Sequence, residues 1–344
     1  MSDDKLFMRR ALDLAKCGLG YVRPNPMVGC VIVYNNLIIG EGYHQNYGQA
    51  HAEVNAIQSV KDKSLISKST IYITLEPCVH HGKTPPCVDL ILQYLPQRIV
   101  ICNKDSNPLV GGKGIQRLKD AGIQIQQDVL KEEGRILNKR FFTFMEKKRP
   151  FIVLKWAETA DGFIARANND SKWISNELSR KLVHKWRSEE HGIIVGTRTA
   201  EYDNPQLNIR DWEGNNPIRM VVDRTCRLSY QLHLFDQKQP TLCYNEIKNE
   251  SIDRLQYIKL DFSQSLIAQL IQNWYDRHIQ SVIVEGGAFL LQQFIDSGCW
   301  DEIRQFKSQS SFFKNGIKAP LIQGKIIEEH IIKQDRLTIY HPVY

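Results

Sequence analysis

Two consecutive α/β domains are the fold this sequence predicts, on three observations. Short β-rich runs alternate with helical patterns along most of the chain, the signature of layered α/β units. The 344 residues suffice for about two domains. Near the middle, Glu146-Lys147-Lys148-Arg149-Pro150 interrupts the alternation just before the apolar run Phe151-Ile152-Val153-Leu154. Proline drives its predecessor out of helical geometry, so a new element starts there and the domains are read as 1–147 and 148–344.

In the first domain, Lys5 to Cys17 reads as an amphipathic helix with Leu6, Met8, Leu12 and Ala15 near one face and Gly18 as stop. Gly29-Cys30-Val31-Ile32-Val33 and Leu37-Ile38-Ile39-Gly40 are strands joined through an Asn35-Asn36 turn. A helix through Ala52–Ile57, the strand Thr70–Leu75, a helix near Val88–Tyr94, the strand Arg98–Cys102 and a helix from about Gly114 follow. In the second domain, Ser175 is positioned to cap a helix running to about Glu190. Ile193–Gly196, Ile218–Asp223 and Thr241–Tyr244 are strands. A helix from Ser265 to His278 leads into Ser281–Glu285, Gly286-Gly287 opens another helix, and Arg336–Tyr340 is a final strand.

Composition narrows the function. Hydrophobic residues are 42% and charged residues 24%, as in ordinary globular chains, so disorder and fibrous repeats are excluded. No apolar run reaches the ~18 residues of a membrane span. The start, Met1-Ser2-Asp3-Asp4-Lys5, is acidic where a signal peptide is basic, so a cytoplasmic protein is expected. The net charge of +7 is concentrated in residues 1–147, with 19 basic against 14 acidic side chains. That suits an anionic partner, either nucleic acid or a phosphorylated small molecule; with no Lys/Arg-rich run interleaved with aromatics, a soluble chain of slight basic bias reads equally well and nothing calls for nucleic acid.

The sharpest chemical signal is His51-Ala52-Glu53, followed by Glu76-Pro77-Cys78 and Cys87. One His and two Cys give zinc three protein ligands and leave a fourth position for water, as in catalytic sites. Zinc lowers the pKa of that water toward ~7. Glu53, two residues from His51, is placed to shuttle its proton to a leaving amine without being a ligand. The other cysteines, Cys17, Cys30, Cys102, Cys226, Cys243 and Cys299, lack a ligand pattern and read as small buried apolar groups.

The pattern His-x-Glu…Pro-Cys…Cys resembles the zinc-dependent nucleobase and nucleoside deaminases. Eight residues rather than two separate Cys78 from Cys87. That insert, Val79-His80-His81-Gly82-Lys83-Thr84-Pro85-Pro86, looks like the riboflavin-pathway pyrimidine deaminases, as do Pro24-Asn25-Pro26-Met27-Val28-Gly29-Cys30 and Gly40-Glu41-Gly42-Tyr43-His44. The resemblance implies a cytidine-deaminase-like three-layer α/β/α domain. Its substrate would be a diaminopyrimidinone ribosylamine phosphate, with Asn25 and His44 on the base and sugar side and His80 and Lys83 on the phosphate.

Downstream, Leu154-Lys155-Trp156-Ala157, Asp161-Gly162, Ser171-Lys172-Trp173-Ile174-Ser175, Arg187, Gly196-Thr197-Arg198-Thr199, Asp203-Asn204-Pro205, Leu207…Arg210 and Glu285-Gly286-Gly287 resemble, in order, the reductase domain of bacterial bifunctional riboflavin-biosynthesis proteins. This implies a dihydrofolate-reductase-like α/β domain using NADPH. Lys155, Trp173, Thr199, Asp203, Gly286 and Gly287 would contact the cofactor. Ser171, Arg187, Leu207, Arg210 and Glu285 would line the substrate pocket, the two arginines suiting a phosphate. The resemblance further implies a homo-oligomer, dimer or tetramer. After Asp301-Glu302-Ile303 the family continues with an apolar strand and a Gly-Gly-containing loop; here the more polar Arg304-Gln305-Phe306-Lys307-Ser308-Gln309-Ser310-Ser311-Phe312-Phe313-Lys314 puts that strand and any subunit contact in question, with 304–320 atypical as a whole. A rival reading keeps the deaminase but leaves the second domain inactive, binding only ligand or subunits.

Overall fold

The amphipathic pattern near the N-terminus forms helix α1 (Asp3–Lys16), which buries Phe7, Met8, Ala11, Leu12 and Ala15. Leu6, expected on that face, is exposed. The computed structural model describes residues 3–171 and 174–343. It divides into two compact units, residues up to 148 and from 149 onward.

In the first unit, α1 lies on β1 (Gly29–Tyr34) so closely that a Cβ at Gly29 would overlap the carbonyl oxygen of Ala11. β1 turns into β2 (Leu37–Tyr43) through Asn35 and Asn36, both left-handed, as a tight hairpin turn requires. Then come α2 (Ala52–Ser59), β3 (Thr70–Leu75), α3 (Cys87–Tyr94), β4 (Arg98–Asn103), α4 (Lys113–Asp120), β5 (Gln124–Gln126), α5 (Lys131–Leu137) and α6 (Lys139–Lys147). Among the described residues the sheet order is β2-β1-β3-β4-β5. Strand alternation splits the core into two layers. Val31, Val33, Tyr72 and Val100 face α1, while Cys30, Ile32, Ile71, Ile73, Ile99 and Ile101 meet Ala56, Ile57, Val88, Ile91 and Leu118 from α2, α3 and α4. The result is three-layer α/β/α.

The second unit runs β6 (Phe151–Glu158), β7 (Phe163–Arg166), α7 (Glu177–Glu189), β8 (Gly192–Gly196), α8 (Thr197–Asp203), β9 (Ile218–Val222) and β10 (Thr241–Asn245). It continues with β11 (Glu250–Ile252), β12 (Leu255–Lys259), α9 (Leu266–Asp276), β13 (Ser281–Val284), α10 (Ala288–Asp296), β14 (Glu302–Ser308), β15 (Gly316–Lys318), β16 (Lys325–Ile332) and β17 (Asp335–His341). Among the described residues ten strands form one sheet in the order β11-β12-β10-β9-β8-β13-β6-β14-β17-β16, and β15 pairs with β7. Its centre is parallel and buried on both faces. Ile152, Leu154 and Trp156 pack with Trp274, Leu291 and Phe294 on one side; Val153, Ile193 and Val195 pack with Val183 and Trp186 on the other.

Four expectations are corrected. The polar segment that begins at Arg304 does open as a strand, since its residues up to Ser308 belong to β14, parallel to β6. Most of its polar groups find partners there: Arg304 Nε bonds Glu302 at 2.6 Å, while Gln305 and the half-exposed Lys307 reach Glu158 at 2.9 and 3.3 Å; among the described residues only the buried Arg304 Nη1 of this strand is left without one. Helix α7 is capped by Asn176, not Ser175; the Asn176 side chain accepts from the Ser179 N–H. Cys17 is exposed and Cys226 and Cys299 are half-buried, so only Cys30, Cys102 and Cys243 of the spectator cysteines are core residues. Leu6 is the fourth, since it lies one residue off the buried stripe of α1. Among the described residues no helix is long and apolar enough to cross a membrane.

Candidate active sites

His51 stands at the start of α2, Cys78 follows β3, and Cys87 opens α3, so three elements converge their tips. The His51 ring nitrogen and the two sulfurs lie within 4.8 Å of one another. His51 Nδ1 is 3.6 Å from Cys78 Sγ and 3.3 Å from Cys87 Sγ, and the Cys87 N–H donates to Cys78 Sγ at 3.3 Å. The Cys87 thiol and His51 hold the Cys78 thiol well below its ordinary value, while Cys87 itself is pushed up. Two sulfurs and an imidazole nitrogen converging in this way form a donor set that suits zinc. His51 Nε2 lies 3.3 Å from Thr84 Oγ1, a partner able to orient the ring.

Glu53 lies in the first turn of α2 and is buried. Burial, then the negative charge of Cys78, raises its carboxyl to about 6. Asn25 Nδ2 is 3.1 Å from His44 Nε2, and His44 Nδ1 is 3.1 Å from the Ala50 carbonyl. Burial lowers the His44 pKa. Asn25, His44, His51, Glu53 and Cys78, with the exposed His80 and Lys83, line one cavity of about 410 Å³. Lys83 Nζ sits 4.1 Å from the centre of the Tyr47 ring.

Sequence reasoning missed three groups here. Glu76, read only as part of a motif, accepts backbone N–H bonds from Asp105, Gly112, Gly114 and Ile115 at 2.9–3.3 Å, tying the Cys78 turn to the start of α4. Asp105 and Asn107 line the cavity. Burial raises the Asp105 carboxyl to about 7, and the Asn107 N–H donates to it at 2.7 Å. Their one sequence signal was position just past the carboxyl end of a parallel strand, where α/β sheets place ligands.

In the second unit, a cavity of about 1180 Å³ opens beyond the carboxyl ends of β6, β13 and β8. It brings together Lys155, Ser171, Arg187, Thr199, Asp203, Leu207, Arg210, Glu285, Gly286 and Gly287; Trp173 lies outside the described residues. Glu285 accepts two 2.8 Å bonds from Arg187, and Lys155 Nζ is 3.9 Å away. Burial alone pushes the Glu285 carboxyl up, but Arg187 and Lys155 overcome this and hold it at about 2. Burial lowers the Lys155 pKa. Arg187 thus serves a carboxylate, with its remaining arm on the Asn208 carbonyl at 3.2 Å. The exposed Arg210 is the more open of the two to an anion. Ser171 bonds Asp203 at 3.0 Å. A Cβ at Gly286 would come 3.4 Å from Thr199 Oγ1, and Gly286 has φ +132°, so glycine leaves an open backbone cradle suited to a dinucleotide diphosphate.

Fold and sites define a zinc-binding deaminase unit followed by a nucleotide-dependent reductase unit. Residues 1–103 match the model of the cytidine and deoxycytidylate deaminase zinc-binding region, and residues 150–307 match that of the RibD C-terminal domain. The riboflavin biosynthesis protein RibD of Aquifex aeolicus is 38% identical over 88% of this chain and 86% of its own. That of Synechocystis is 34% identical over 99% and 93%. The crystal structure of a diaminohydroxyphosphoribosylaminopyrimidine deaminase/5-amino-6-(5-phosphoribosylamino)uracil reductase from Thermotoga maritima superposes with a TM-score of 0.91 at 37% identity, covering 99% of both chains. The chain belongs to the RibD family of riboflavin-biosynthesis proteins, bifunctional enzymes with a zinc deaminase and an NADPH-dependent reductase domain.

Proposed function

We propose that this chain performs two successive reactions on one phosphorylated pyrimidine. Residues 1–147 hydrolytically remove the 2-amino group of 2,5-diamino-6-(5-phosphoribosylamino)pyrimidin-4(3H)-one. Residues 148–344 then reduce the ribosyl group to ribityl, giving 5-amino-6-(5-phosphoribitylamino)uracil. The observation that carries the reading is the buried Glu53 beside His51, Cys78 and Cys87, in one cavity with Asn25, His44 and Lys83.

Zinc, when held by His51, Cys78 and Cys87, lowers the pKa of a water in its open position. Glu53 takes the proton of the attacking water and delivers it to the leaving amine. Asn25 and His44 hold the base and sugar side, and His80 and Lys83 grip the phosphate. In the reductase unit, NADPH supplies hydride to C1′ when bound. Thr199, Asp203, Gly286, Gly287 and Trp173 hold the dinucleotide, while Ser171, Leu207 and Arg210 hold the substrate. Ring opening needs a proton at the sugar oxygen. Lys155, with a pKa lowered by burial and set beside Glu285 and Arg187, is the group in that cluster suited to give it.

The enzyme works in the cytoplasm as a homo-oligomer. All eight cysteines are free, which suits a reducing compartment. Edge strand β16 exposes Ile326, Ile327 and Ile331, a surface that a second copy would cover. The test is to incubate purified protein with the diaminopyrimidine phosphate, with and without NADPH, and identify products by mass. Deamination alone without NADPH and a further reduction with it are expected. Deamination with no NADPH oxidation would favour the rival reading of an inactive, ligand-binding second domain.

A further inference from the structure

Five arginines line the cavity of the second unit, and four of them are engaged within the chain. Arg187 holds Glu285, Arg227 holds Glu201 at 2.7 Å, Arg210 bonds Asn208 at 2.8 Å, and Arg180 bonds the Ser175 carbonyl at 2.6 Å. Arg198 has no such partner among the described residues.

Its place in the sheet gives that vacancy a meaning. The ends of β8 and β13 adjoin, since the Gly196 N–H donates to the Gly286 carbonyl at 2.9 Å. A diphosphate cradled at Gly286, Gly287 and Thr199 therefore has two directions to run. Toward β6 lie Lys155 and Glu285, the reacting end. Toward β9 lies α8, whose Arg198 and Tyr202 both line the cavity and are both exposed. Spaced i and i+4, they share one helix face. That face is open to the adenosine half of a dinucleotide running this way, and the exposed Tyr202 ring offers an aromatic surface on it. Arg227, the other cation on this side, already has its charge balanced by Glu201.

We propose that Arg198 grips the ribose 2′-phosphate of NADPH, and that this contact makes the enzyme prefer NADPH over NADH. The inference rests on the reading of the second unit as an NADPH-dependent reductase, and adds the residue that selects the cofactor. A planar guanidinium matches a terminal phosphate with two parallel N–H bonds.

The test measures binding to the full-length protein by calorimetry, using NADP+, NAD+, adenosine 2′,5′-bisphosphate and 5′-AMP as probes. Arg198→Ala is expected to weaken NADP+ and the bisphosphate by about 10-fold or more. NAD+ and 5′-AMP, which lack the 2′-phosphate, should stay within about twofold and so report that the variant is folded. Arg198→Lys should recover part of the loss. An Arg198→Ala protein with the parent's ratio of NADP+ to NAD+ affinity would overturn the proposal, as would equal weakening of both. Failure of the parent to bind either dinucleotide would overturn the reductase reading and this inference together.

Discussion

Arg187→Ala removes the partner of a carboxylate that is only 6% exposed. Glu285 would keep one cation, Lys155 at 3.9 Å. Breaking a buried ion pair from one side costs about 3–5 kcal/mol, because the remaining charge is stranded. The pair also ties stability to pH: the Glu285 carboxyl sits at about 2 against an ordinary 4.5, a net depression in which Arg187 and Lys155 together outweigh burial, and at about 1.36 kcal/mol per pKa unit it links about 3 kcal/mol of stability to pH. Since the folded value is the lower one, this stability is present above about pH 4.5 and is lost as pH falls toward 2. Urea unfolding of the full chain at pH 7.5 and at pH 4, with Arg187→Ala, Glu285→Gln and the double variant, measures it. The singles should lose about 3 kcal/mol at pH 7.5, the gap should narrow at pH 4, and the double variant should fall well short of the sum. A coupling below about 0.5 kcal/mol would refute the reasoning. NADPH oxidation should collapse in Arg187→Ala while deamination persists; equal loss of both would indicate misfolding instead.

Three further outcomes are expected. Glu53→Gln should abolish deamination while zinc, measured by elemental analysis, stays near one per chain; loss of zinc would remove Glu53 from the shuttle role. Lys83→Ala should raise KM for the phosphorylated pyrimidine about 10-fold in steady-state deamination, and an unchanged KM would make Lys83 a plain surface residue. Gly29→Ala forces a methyl into the Ala11 carbonyl and should cost about 3 kcal/mol, read by urea unfolding; a loss under about 0.5 kcal/mol would mean α1 yields freely.

Most of the fold was legible because its period is strong. Alternation in Ile71–Leu75, and unbroken apolar runs such as Cys30–Val33 and Ile193–Val195, leave little choice of element. β14 was harder, since Arg304, Gln305 and Lys307 are polar and what satisfies them, Glu158 and Glu302, depends on tertiary placement. β16 was not read at all, for its Lys-Ile-Ile-Glu-Glu-His-Ile-Ile lacks clean alternation and is exposed on both faces. At the first site, the His-x-Glu and Pro-Cys spacing made the ligand trio visible. Asp105 was not, because a lone carboxylate past a strand has no local signature. At the second, sequence position marked Arg187 but could not show that Glu285 claims its guanidinium.

The loop bearing His80 and Lys83 runs between Cys78 and Cys87, two of the three side chains placed so that they could hold a metal ion. When zinc is bound, that loop is clamped at both ends, and the entropy of holding its cationic residues in place is spent by the metal rather than by the substrate. Metal and phosphate are then thermodynamically linked. Whatever zinc adds to the grip on the phosphate, the phosphate returns as tighter retention of zinc, by the same factor. An enzyme built this way guards its metal best while it is working, and is most open to chelation when its substrate runs out.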